Sequence, residues 1–328
     1  MRAAIDAIKS VRAARDLGIF ADNYIAKDGI IYASDGRMAA AIACSTLDGI
    51  NRLIPGDELE KLISRLPDDV TLRLNDQSIT IASGRMRGTI ATRALAGMMM
   101  LMPDEEWRVP PPGLINAMKL ARPFVADVAA QPFATCLCLR DGAVLATTNI
   151  ALIQVECPGL APDADRLLPA WAADFVLKAS GAAGDLIGPL SGLILNDHYA
   201  AFRWAGGLWL RTQLVTGAFP AAVGSLLAEV APTQPLAITA PWRRAYAAVA
   251  AISEGVITIE PDRIVGGHGH SRVEHDVEPL PLTESVRFDP KFCTPVIEIA
   301  QAWNPAAFPR PVPFVAPGVR GLIVGRRA

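Results

Sequence analysis

Apolar residues recur along this chain at two periods, and the two periods alternate in a fixed order. In IPGDELEKLISRLPDDV, Leu59, Leu62, Ile63 and Leu66 stand three and four residues apart behind Asp57 and Glu58, which predicts a short helix that stops at Pro67. LLPAWAADFVLKASGAAGD has the same plan: a proline, an apolar-periodic helix and a glycine-containing stop. The frames LRLND (72–76) and LILND (193–197) follow. SITIASGRMRGTIATRALAG and YAAFRWAGGLWLRTQLVTGAFP then each read as two alternating strands joined by a glycine turn. A third unit is VRFDPKFCTPVIEIAQAW with PVPFVAP and the closing strand VRGLIVGRRA, where Pro290 takes the place of Pro55 and Pro169.

Each unit also has a first half. Helices are expected at AAIDAIKSVRAAR, GLINAMKLARPFV and PWRRAYAAVAAIS, and strands around DGIIYASDGRMAAAIA, DGAVLATTNIALIQV and GVITIEPDRIVGG. Prolines cluster at 107–113 and 230–236, where linkers are expected. The pattern therefore predicts an α+β chain of three similar domains made by internal duplication, at 1–109, 110–231 and 232–328, each with two helices packed on antiparallel sheets. A length of 328 residues is enough for two or three separate cores.

Composition narrows the function. With 51% hydrophobic and 20% charged residues this is an ordinary globular chain. It has no signal-like start and no apolar run of bilayer length, so a cytoplasmic location and no membrane partner are expected. Cys44, Cys136, Cys138, Cys157 and Cys293 are odd in number and contain no C-x-x-C, which points to free thiols rather than disulfides or zinc. A net charge of −2 removes any overall basic footprint, so a nucleic-acid surface would have to be local. The six lysines are distributed tellingly: Lys9, Lys61, Lys119, Lys178 and Lys291 fall one to a predicted helix, the remaining helix carries Arg243 and Arg244, and only Lys27 lies elsewhere. Arg2, Asp6 and Lys9 share a helix face away from Ile8 and Val11. Lysine also favours exposed helix positions for its own sake, and Asp57, Glu58, Glu60 and Asp174 temper the charge.

Catalytic patterns are lacking. No lysine follows a glycine, which excludes a P-loop, and G-x-S-x-G does not occur. GHGHSRVEHD holds three of the four histidines. Read as one strand it places His268 and His270 on one face and His275 on the other, which splits a metal tripod. A metal-dependent hydrolase using His268 and His270 stays as the least favoured alternative, and no catalytic residue, metal or cofactor is assigned.

Three short motifs add a resemblance. LATTNIALI, VTGAFPA (215–221) and FDPKFCTPV (288–296) are similar to the V-A-T-D-G-H-R-L, DG-x-FPD and F-N-x-x-Y-L segments of the bacterial sliding clamps, the β subunits of DNA polymerase III. Together with the threefold plan, the resemblance runs the whole length. It implies three clamp-type domains per protomer, a homodimeric ring whose helices line the inside, no enzymatic activity, and a role as processivity factor in DNA replication. Sequence-independent contact with double-stranded DNA would then fall to Arg2, Lys9, Arg12, Arg15, Lys61, Arg65, Lys119, Arg122, Lys178, Arg243, Arg244 and Lys291. The resemblance further implies a hydrophobic cleft for short peptide motifs of the replicative polymerase and the clamp-loader subunits. Its matching positions are Phe133, Thr147, Asn149, Ile150, Leu152, Pro220, Leu226, Val324 and Arg326. Here the family's Gly-His-Arg has become Asn149-Ile150-Ala151, and its Pro-Met-Arg-Leu ending has become GRRA. A dimer contact is expected near Ile252, with Met99 and Met100 as further candidates. A scaffold of the same duplicated fold that does not touch DNA is the other alternative.

Overall fold

The computed structural model describes residues 1–12, 22–67, 70–95, 103, 105–182, 186–229 and 235–327. The candidates Arg15, Met99 and Met100 lie outside them. The chain forms two compact bodies, one of residues 1–110 with 171–214 and the other of 111–170 with 215–328.

The elements repeat three times. The first repeat runs α1 (Arg2–Ile8), β1 (Asn23–Lys27), β2 (Ile30–Ser34), β3 (Met38–Ala43), β4 (Arg52–Pro55), α2 (Gly56–Ile63), β5 (Thr71–Asn75), β6 (Ser78–Ser83), β7 (Met86–Ala91) and the short β8 (Arg93–Ala94). The second runs α3 (Leu114–Ala121), β9 (Cys136–Arg140), β10 (Ala143–Thr147), β11 (Ala151–Glu156), β12 (Arg166–Pro169), α4 (Ala170–Gly181), β13 (Leu190–Leu195), β14 (Tyr199–Trp204), β15 (Trp209–Gln213) and α5 (Ala222–Glu229). The third runs β16 (Leu236–Ala237), α6 (Ala240–Ala250), β17 (Ile257–Ile259), β18 (Arg263–His268), β19 (Ser271–Asp276), β20 (Val286–Phe288), α7 (Pro290–Ile299), β21 (Ala302–Trp303), β22 (Val312–Ala316), β23 (Val319–Ile323) and β24 (Arg326–Arg327).

Local chemistry explains the helix starts. Asp57 and Glu58 occupy the first turn of α2 and Lys61 its last, so the charges oppose the helix dipole at both ends, while Leu59 and Ile63 are buried. Thr239 caps α6 by accepting from the Trp242 N–H, and Asp289 caps α7 by accepting from the Lys291 N–H. The prolines expected before the second helix of each repeat stand there: Pro55 and Pro169 end the preceding strands, and Pro290 opens α7.

Sheets run across repeats. One eight-stranded sheet has the order β13-β14-β15-β3-β2-β1-β4-β8, and another has β12-β9-β10-β11-β23-β22-β21-β16. The β15–β3 seam sets Trp209 opposite Ala41 and Leu210 opposite Ala40. These alanines leave room for Trp209, which meets Tyr32 edge-on with ring centroids 6.1 Å apart. The remaining sheets are β19-β18-β17-β20-β24 and β5-β6-β7.

Two expectations need correction, and one helix was not foreseen. GHGHSRVEHD is not one strand: β18 ends at His268 and β19 starts at Ser271, with Gly269 at φ 57 in the turn. α5 is a helix that the apolar pattern does not predict, because Gly217, Pro220 and Gly224 obscure the Val223/Leu227 spacing. α1 is shorter than its apolar period suggests, and Lys9 to Val11 continue it as a 3-10 turn.

Candidate functional site: an apolar cluster and the helix cations

The β10–β11 turn carries several of the positions that the resemblance assigns to a peptide cleft. Thr147 is buried, its hydroxyl donates to the Ala151 carbonyl at 3.0 Å, and it accepts from the Asn149 N–H at 3.0 Å. Thr148 accepts in turn from the Ala151 N–H at 3.0 Å. Asn149 has φ 67, a left-handed conformation that asparagine tolerates better than most residues after glycine. The residue found in place of the family's glycine therefore suits the backbone, and its side-chain amide donates to Gln131 at 3.2 Å.

Beneath that turn is a cluster of Cys136, Cys138, Leu145, Leu152, Leu167, Phe219, Val223, Leu227 and Leu322, with Phe133 packed against it. Phe133 meets Phe219 edge-on at 5.8 Å. Arg140 holds Asp165 through two hydrogen bonds of 2.8 and 2.5 Å and lies over the Phe219 ring at 5.9 Å. The hydrogen bond to Asp165 raises the Arg140 pKa above its ordinary value. Burial pushes the Cys136 and Cys138 thiols up, so both stay neutral and act as small apolar side chains.

The structure therefore brings Phe133 and Leu152 into one cluster. Val324 joins the turn through its N–H, which donates to the Ile150 carbonyl at 2.8 Å, and its side chain remains 45% exposed. Pro220 is half-buried at the entry to α5. Leu226 is 43% exposed, one residue from the buried Leu227. Arg326 is carried elsewhere: it pairs with Arg287 across β24 and β20 in the five-stranded sheet. Sequence reasoning missed Phe219, Val223, Leu227, Leu322, Arg140 and Asp165 as supports. Only the FP pair in VTGAFPA signalled any of them.

The helix cations divide into two groups. Lys61, Arg65, Lys119, Lys178 and Arg244 are exposed. Lys9 is held by Asp6 at 2.6 Å, and Lys291 by Asp127 at 2.9 Å. The Lys291 hydrogen bond holds the Asp127 carboxyl below the usual range. Arg2 donates to the Ile63 carbonyl at 2.8 Å and also to that of Leu66, just past α2. Arg243 likewise donates to the Ala300 carbonyl, at the end of α7. Both arginines thus hold carbonyls at or just past a helix C-terminus. Arg12 is largely buried between Asp57 and Glu60, over the Tyr24 ring at 5.7 Å. Arg122 is half-buried in the turn after α3. Lys9 and Lys178 line one groove of about 490 Å³ together with Ala3, Ala7, Phe175 and Leu186. Lys9 and Lys61 line another of about 420 Å³ with Arg2, Asp6 and Glu60, so its charge is mixed.

The histidines do not converge. His268 lies 2.7 Å from Glu254, His270 sits in the turn and His275 stands across from Ile264 on β19. Among the described residues no group of three or more His, Cys, Asp or Glu side chains is placed to hold a metal. No described helix is long and apolar enough to cross a membrane. Ile252, the described dimer candidate, is 48% exposed beyond α6.

Comparison with known proteins places the fold. No protein-family model matches the sequence, and no curated protein matches it. Solved structures do. The Caulobacter crescentus β sliding clamp is 19% identical with a TM-score of 0.76, the match covering 100% of this chain and 97% of that one. A Helicobacter pylori β clamp bound to a DNA ligase peptide is 14% identical, covering 99% of this chain and 97% of that one at TM-score 0.77. The Bacillus subtilis sliding clamp is 13% identical, covering 100% and 97% at TM-score 0.77. The chain has the fold of the bacterial DNA polymerase III β sliding clamps along its whole length.

Proposed function

We propose that this protein is a divergent sliding clamp: a homodimer that closes around duplex DNA, binds it without regard to sequence, and tethers a replicative polymerase through peptides docked in the apolar cleft. The observation that carries the reading is the full-length fold match, in which three repeats present one helix pair each. Lys61, Arg65, Lys119, Lys178 and Arg244 are exposed cations on four helices or their ends, suited to phosphates and to nothing sequence-specific. Enclosure rather than affinity would hold the ring on DNA, which fits a lining where Asp6, Glu60 and Asp127 offset part of the charge. Catalysis belongs to the partners. The peptide cleft would use Phe133, Ile150, Leu152, Pro220, Leu226 and Val324 over the rigid base of Phe219 and Leu227. The domains would be those of the sequence repeat, 1–109, 110–231 and 232–328.

One observation favours the second reading, a scaffold that does not bind DNA: Arg2, Arg12 and Arg243 are engaged within the chain. Retention on DNA separates the two. A clamp loaded by its cognate loader onto nicked circular DNA stays bound through gel filtration and is released when the circle is cut. Replacing Lys61, Lys119 and Lys178 by Glu should lower loading at least tenfold with dimer mass and melting unchanged. Equal retention on circular and linear DNA, or loading unaffected in the triple variant, favours the scaffold.

A further inference from the structure

α1 and α4 belong to one body of the chain and wall a groove of about 490 Å³, a size that suits a small molecule. Small side chains make the space: Ala3 and Ala7, one turn apart on α1, line it together with Ala179 and Ala182 of α4. Phe175 and Ile187 are the buried part of the lining. Phe175 is held firmly, because its ring meets Trp204 edge-on at 6.2 Å and Trp204 Nε1 donates to Ser180 Oγ at 3.1 Å. The groove is therefore preformed.

Leu186 lies at its rim and is 41% exposed. The backbone beside it is pinned to the β14–β15 turn. Gly206 N–H donates to the Ile187 carbonyl at 2.8 Å, Ala205 N–H donates to the Pro189 carbonyl at 2.9 Å, and a Cβ on Gly206 would come within 1.9 Å of the Leu186 carbonyl oxygen. A large apolar side chain is thus held in water next to an apolar hollow, where a bound molecule would cover it favourably.

Charge selects the occupant. Three of the lining side chains are ionic: Asp6, Lys9 and Lys178. Asp6 accepts from Lys9 at 2.6 Å, and those two charges cancel. Lys178 is exposed and has no ion-pair partner among the described residues, which leaves one positive charge over apolar walls. By contrast, the neighbouring groove beside α2 is walled largely by charged side chains, among them Arg2, Glu60 and Lys61.

We infer that the α1–α4 groove is a binding site for a small apolar molecule carrying one negative charge, such as a carboxylate or sulfonate. Its anionic group pairs with Lys178, and its apolar body lies against Phe175, Ile187 and Leu186. The site is built within one body of one chain, so it does not rest on the clamp reading.

The probe is 8-anilinonaphthalene-1-sulfonate, titrated by fluorescence into the full chain. One saturable site per chain is expected. Decanoate should displace the probe and decanol should not, since the two share the chain and differ in the charge. Lys178→Gln should weaken binding about tenfold, while Lys61→Gln, in the neighbouring groove, should leave it unchanged. Ala182→Cys gives a second route that keeps the groove intact until after folding. The five native thiols are buried and Ala182 is exposed, so N-ethylmaleimide should label the new thiol first. Labelling should abolish probe binding, and saturating probe should slow the labelling. No saturable site, equal displacement by decanol, equal weakening by both lysine variants, or full binding after labelling would each overturn the inference.

Discussion

On the proposed clamp reading, Arg12 offers the sharpest test of which cations would face DNA. Its guanidinium contacts Asp57 and Glu60, donates to the Asp22 carbonyl at 3.3 Å and lies over Tyr24. Burial opposes its charge, but the hydrogen bond to Asp57 and the field of Glu60 prevail and raise its pKa. Gly56 opens α2 at this point, and a Cβ there would come within 2.4 Å of the guanidinium, so glycine leaves the space that Arg12 fills. Breaking a buried ion pair costs about 3–5 kcal/mol. The Asp57 and Glu60 side chains are 45% and 31% exposed and can rehydrate when Arg12 is removed, which lowers the loss to roughly 2 kcal/mol. The lost cation–ring contact adds about 0.5 kcal/mol. For a body of this size, Arg12→Ala should therefore lower Tm by about 5–10 °C in calorimetry. Gly56→Ala should also destabilise, although alanine is the better helix former. DNA retention per folded dimer should not change. A Tm within about 1 °C of the parent, combined with lost retention, would refute the assignment and return Arg12 to the DNA surface.

Two further outcomes follow from burial and charge. Leu226→Ala should abolish binding of partner peptides in a fluorescence assay with little change in Tm, whereas Leu227→Ala, which hollows the cluster under the cleft, should cost about 2–5 kcal/mol; equal effects of the two would deny the division between surface and base. Burial raises the Tyr24, Tyr246 and Cys138 pKa values and pushes that of Cys293 up to about 12, while the unfolded chain ionises these groups near pH 9 to 10. The unfolded state then loses protons first, so stability is complete below about pH 9 and falls above it. The urea midpoint should drop between pH 8 and 10.5, and a constant or rising midpoint would contradict the burial assigned to these groups.

Much of the architecture could be read from the chain because duplication writes the same signals more than once. LRLND and LILND do mark equivalent places: β5 ends at Asn75 and β13 at Leu195, each just before a tight turn into the next strand. Pro55, Pro169 and Pro290 mark the second helix of each repeat for the same reason. What escaped depends on partners distant in sequence. Nothing in the local pattern of Arg2 or Arg243 announces a carbonyl roughly sixty residues away, and both read like the exposed Lys61 or Arg244. The β15–β3 and β23–β11 seams are also invisible to periodicity, since alternation sets a strand's faces and not its neighbour. α5 was hidden by glycine and proline, and the histidine trio by the assumption that one alternating run is one strand.

The central claim, that two copies close a ring, is tested most directly by small-angle scattering on an absolute scale with the purified chain. The account predicts a dimer mass and a distance distribution that only a hollow ring can fit. A monomer mass at every concentration, or a dimer whose distances fit a solid particle, would contradict it.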